Sequence, residues 1–126
     1  MDAEGFERLV QEALRHLPDW VARQMHDLEV VIEERPSRSL CKSMGIDYRE
    51  GLLGLYEGPS RLERDVAAMD GPSRVSLFRR MILAEADGEA DLPRVVRETL
   101  AHEIGHHFGM TEEEMDAFER AWAARG

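Results

Sequence analysis

From Ala101 to Met110 the chain reads Ala-His-Glu-Ile-Gly-His-His-Phe-Gly-Met, and the reading of this stretch decides the fold. His102-Glu103-Ile104-Gly105-His106 is an H-E-x-x-H pattern. Residues four apart on an α-helix are offset by about 40°, so the two imidazoles leave one face together and can reach one ion. Glu103 flanks them, in the place from which a general base takes the proton of a metal-bound water. A mixed histidine and carboxylate donor set favours Zn2+. Zinc held by three protein ligands lowers the pKa of its water to about 7, which is the basis of hydrolytic chemistry at neutral pH.

The residues around the motif independently predict a helix. Val96, Leu100 and Ile104 recur at i, i+4 spacing, Pro93 suits a first turn, and Asp91 is a candidate N-cap. Gly109 ends the helix, because glycine takes the left-handed conformation that other residues resist. Thr111 and Glu114 then form a capping box that opens a last helix, with Met115, Phe118 and Trp122 as its buried stripe.

A third donor is needed, and the pattern continues as H-E-x-x-H-x-x-G-x-x-E. The turn at Gly109 lets a side chain three residues later swing back toward the metal, which makes Glu112 the first choice. Asp116, Glu119 or an added water are the alternatives. Against Glu112, the run Glu112-Glu113-Glu114 also complements the positive end of the last helix. His107 points about 100° away from His106 and is expected in a supporting or surface role.

Further out, Phe6, Leu9, Val10, Ala13, Leu14 and Leu17 predict an amphipathic N-terminal helix that Pro18 stops. Leu28 to Ile32 reads as a buried strand, Leu52 to Tyr56 as a second and Arg74 to Arg80 as a third. The stretch from Pro36 to Gly51 has no clean period and is predicted to be a long loop, long enough to act as a lid. His16 and His26 have no partner pattern and are expected on the surface. Trp20, Trp122 and the seven methionines read as core filling. Tyr48 and Tyr56 are candidates to stabilise an oxyanion, with ordinary packing the weightier reading. The fold class is α+β, a small mixed sheet of about three strands with helices on one side.

At 126 residues one domain over 1–126 is expected. The net charge of −10, without a basic block, argues against nucleic acid and anionic membrane as partners. Neither a membrane span nor a signal-peptide pattern is visible, and one cysteine, Cys41, suits a reducing compartment, so a cytoplasmic monomer is expected.

The chain resembles the minimal zincin-like metallopeptidases, small single-domain bacterial proteins. The likeness rests on HEIGHHFGM followed by an acidic residue, and on the order helix, strand, loop, two strands, motif helix, final helix. It implies a zincin-like fold in which His102 and His106 bind zinc, Glu103 is the catalytic base and Glu112 is the third ligand. It also implies that the edge strand near the site, taken as Arg74 to Arg80, pairs with an extended peptide or protein substrate. Two other functions compete with peptide hydrolysis. A deformylase-type amidohydrolase would need Cys41 as a ligand, but RSLCKSM lacks the glycine-rich context of those enzymes. A non-catalytic zinc-binding module would have no use for Glu103.

Overall fold

The computed structural model describes residues 1–47, 52–58 and 73–125. Asp2 opens α1 (Ala3–Arg15) by accepting the Gly5 N–H at 2.8 Å, and Phe6 and Val10 bury its apolar face. Pro18 precedes a single turn, α2 (Asp19–Ala22). The LEVVI segment forms β1 (Leu28–Glu33), which is half-buried where full burial was expected. The predicted loop after Pro36 instead holds α3 (Arg38–Met44), capped by Ser37 Oγ on the Leu40 N–H and stopped by Gly45 at φ 69°. Seven residues that bury only Cys41 leave no period to read.

β2 (Gly54–Glu57) and β3 (Ser73–Phe78) complete a sheet of order β1-β3-β2. β1 runs parallel to β3, with Val30 opposite Val75, and β2 runs antiparallel to it, with Tyr56 opposite the same Val75. The third predicted strand is therefore the central one, its backbone paired on both sides. The strand beside the motif helix with an outer edge is β2, a correction to the expected substrate edge. β3 also stops at Phe78, short of the expected Arg80, because Arg79 begins α4 (Arg79–Glu85), which buries Met81 and Ile82. Arg79 clips that helix to the end of β1 through a two-pronged pair with Glu34, at 2.6 and 2.7 Å, and these hydrogen bonds hold the Glu34 carboxyl down to about 2.

The motif helix is α5 (Leu92–Phe108), followed after a tight turn by α6 (Glu112–Arg125). Pro93 lies in the first turn of α5 as expected, but Asp91 does not cap it. Its carboxylate accepts the Asp87 N–H at 2.9 Å and pairs with Arg94 at 2.7 Å. Gly109, at φ 67°, ends the helix, with the Met110 N–H returning to the Gly105 carbonyl at 2.9 Å. Thr111 and Glu114 then make the reciprocal capping box, at 3.0 and 3.1 Å.

Val96, Leu100 and Ile104 of α5 are fully buried, and pack with Val75, Leu77, Phe6, Phe118 and Trp122 in one core. Trp122 stacks on Phe118 at 5.5 Å and donates its indole N–H to the Ala13 carbonyl at 2.9 Å, joining the last helix to the first. Trp122→Ala is expected to cost about 3–5 kcal/mol, the range for emptying a large aromatic site. In a thermal melt the midpoint should fall by more than about 10 °C. A fall of only a degree or two would mean that α6 is not part of the cooperative core. Trp20, by contrast, is 46 % exposed and touches Phe118 only edge-on, so it is not core.

Candidate metal centre

The helical offset does what the spacing requires. His102 and His106 both stand on the exposed face of α5, their ring centroids 4.5 Å apart. Glu103 turns the other way, toward β2, and is 9 % exposed. Gly54 makes that approach possible: a Cβ there would lie 2.8 Å from Thr99 Cγ2 and 3.1 Å from the Ser76 carbonyl, with Glu103 Cγ at 3.5 Å. With no side chain in the way, β2 presses directly on the motif helix.

Burial pushes the Glu103 carboxyl above the usual carboxylate range, while His106, His102 and the Tyr56 backbone N–H pull it back. Its Oε1 lies 3.7 Å from His106 Nδ1. A cleft of about 430 Å3 opens on His102 and Glu103, with Leu53 and Gly54 on one wall and Val95 and Thr99 on the other. A buried carboxylate, two exposed imidazoles and a cleft thus meet at one place. The donor set suits zinc, since neutral imidazoles and carboxylate oxygen are its usual ligands, and the two rings stand close enough to share one small ion.

The α6 acids are distributed unequally around this pair. Glu112 is exposed, at the first residue of α6. Asp116 and Glu119 line a hollow beside His102, and Glu119 is held by Arg97 at 3.0 Å. Among the described residues, no three His, Cys, Asp or Glu side chains gather closely enough to form a ready-made metal cluster. His102 and His106 are brought together; Glu112, one turn beyond the helix end, is not drawn in with them. Cys41 is buried in α3.

Of the supporting and surface places expected for His107, the surface one is ruled out. His107 is fully buried, its Nδ1 lying 3.0 Å from the Tyr56 hydroxyl and its Nε2 3.2 Å from Asp27 Oδ1. The Tyr56 hydroxyl also donates to Ser73 Oγ at 2.9 Å. A rotation of about 100° from His106 carries the ring inward, not onto the surface. Tyr56 is engaged in this network and so takes the packing role over the oxyanion role; Tyr48 lies outside the described residues. Asp27 and Ser73 escaped the sequence reading because each is many residues distant from His107 and belongs to no motif. His26 is exposed as expected, and His16 is partly covered, with its Nδ1 3.0 Å from the Glu12 carbonyl.

A family model described as zincin-like metallopeptidase matches residues 25–122. Among solved structures, a conserved hypothetical protein from Thermus thermophilus is similar, with 25% sequence identity and a TM-score of 0.55 over 86% of this chain and 94% of that one. No curated protein matches the chain.

Proposed function

Because the chain belongs to the zincin-like metallopeptidase family, we propose that it is a zinc-dependent peptidase, acting as a cytoplasmic monomer on peptide or protein substrates. One observation carries the reading. The exposed imidazoles of His102 and His106 share a helix face directly beside the buried Glu103 carboxylate, and His102 and Glu103 line a cleft.

His102 and His106 would hold the ion, with Glu112 as the third donor and Asp116, Glu119 or water as alternatives. Bound zinc supplies a Lewis acid and a water acidic enough to act as a nucleophile near neutral pH. Glu103 accepts the proton of the attacking water on a carboxylate oxygen and passes it to the leaving amine. Its partial burial, which disfavours the charged form and raises the carboxyl, suits a group that must take up a proton and give it back. The Tyr56 N–H orients the carboxylate, so β2 contributes to the geometry of the base. Leu53 and Val95 give the cleft an apolar side chain on each wall.

The test is hydrolysis of a quenched-fluorescence peptide library by zinc-loaded protein. Cleavage should stop when a chelator removes the metal and return when zinc is restored. Zinc-saturated protein that cleaves no peptide across such a library would refute the peptidase reading.

A further inference from the structure

Gly105 is the fourth residue of the His102 to His106 stretch, and it is buried in the last turn of α5. Alanine would be the better helix former there, so the glycine needs a reason outside the helix. Met115 of α6 supplies it. A Cβ on Gly105 would lie 2.4 Å from Met115 Cγ and 2.5 Å from Sδ, with the Met115 Cβ at 3.7 Å. The thioether therefore occupies the place of the missing side chain, against the backbone that joins the two histidines.

Met115 shares a helical face with Glu112, three residues before it, and with Glu119, four after it; Asp116 adjoins that face. It lines the hollow beside His102 together with Asp116 and Glu119. The two helices are also tied at the Gly109 turn, and through the Arg97–Glu119 pair, a quarter exposed on each side. Between these ties, the depth to which Met115 enters the notch sets the separation and register of α6 against the histidines.

We propose that Met115 is a positioning residue of the metal site: seated on Gly105, it brings the acidic face of α6 within reach of the ion held by His102 and His106. The inference rests on the metal reading of those histidines. Gly105→Ala fills the notch while favouring the helix itself, so its effect on metal binding would not come from a weakened α5. The added methyl forces Met115 out, and the acidic face withdraws with it.

The experiment compares full-length wild type, Gly105→Ala, Met115→Ala and the double variant. Zinc affinity is measured by competition with a chromophoric chelator, the visible spectrum of bound Co2+ reports the donor set, and circular dichroism reports folding. Gly105→Ala is expected to bind zinc roughly 10-fold or more weakly with unchanged helix content, in the range for residues that support metal ligands. The double variant, in which the space is restored, should recover most of that loss and return the Co2+ spectrum toward wild type. Equal affinity in wild type and Gly105→Ala, or a double variant no better than the single, overturns the inference while leaving the metal reading intact. Wild type that binds no zinc overturns both. If Gly105→Ala does not fold, Met115→Ala alone still decides: several-fold weaker binding is expected, and unchanged affinity overturns the role of Met115.

Discussion

Glu103→Gln is expected to lower peptide turnover by about 100- to 10,000-fold, the range for removing a general acid-base group, while bound zinc remains at the wild-type level. Glutamine is nearly isosteric, and its carbonyl oxygen can still accept the Tyr56 N–H, so β2 and the cleft should keep their positions. Only the ability to take up and return a proton is lost. Steady-state kinetics with parallel metal analysis would check it. A zinc-binding interaction module would be indifferent to this change, so unaltered binding together with an absence of hydrolysis in both proteins would favour that alternative.

Stability gives the same variant a second, independent readout. The Glu103 carboxyl is raised in the folded protein chiefly because burial disfavours its charged form. Its stabilising contribution is therefore fully present below the unfolded-state pKa and is lost as pH rises through the folded pKa. Glutamine does not titrate. In metal-free protein at neutral pH, Glu103→Gln should thus melt at the same or a higher temperature than wild type, and its relative advantage should shrink as the pH is lowered through the folded pKa. A marked loss of stability at neutral pH would show that the charged carboxylate contributes more to the fold than its burial costs.

The motif helix was legible because each of its signals is local. The 3.6-residue period of Val96, Leu100 and Ile104, the stop at Gly109 and the Thr111–Glu114 box all act within a few residues of one another. The elements missed lack such a set: α3 is capped by Ser37 and stopped by Gly45, but no apolar period joins the two. α3 buries one residue, and α4 follows Phe78 with no side-chain cap, so that only the pair Arg79-Arg80 separates its Met81 and Ile82 from the apolar run of β3. Pairing is less legible still: that β3 is central depends on contacts with β1 and β2 that no local pattern encodes. The site divides in the same way. The placement of His102, Glu103 and His106 follows from helical geometry, whereas the surroundings of His107 come from Asp27, 80 residues earlier in the chain, and from Tyr56 on another element. Asp91 adds a third case, since its residue type suits a cap but Arg94 and the Asp87 N–H claim its carboxylate.

His106→Ala is expected to abolish zinc binding at the concentrations where wild type holds one ion per chain. Zinc bound by a few protein ligands is worth about 10–16 kcal/mol in small domains, so the loss of one imidazole weakens the site by about 3 kcal/mol or more, a factor in the hundreds. The side chain is about half exposed, at 47%, and its removal leaves no cavity in the core, so the folded state should persist and the loss can be read as a metal effect. Elemental analysis of protein purified without chelator, run beside His102→Ala and Glu112→Ala, separates the remaining alternatives. Zinc lost in all three variants establishes Glu112 as the third donor. Zinc lost with either histidine but retained in Glu112→Ala transfers that role to Asp116, Glu119 or water. Of these, Asp116 would be the next to replace, since it lines the hollow beside His102 while Glu119 is held by Arg97. Full zinc occupancy in His106→Ala would place the metal elsewhere and remove the basis for assigning Glu103 as the base.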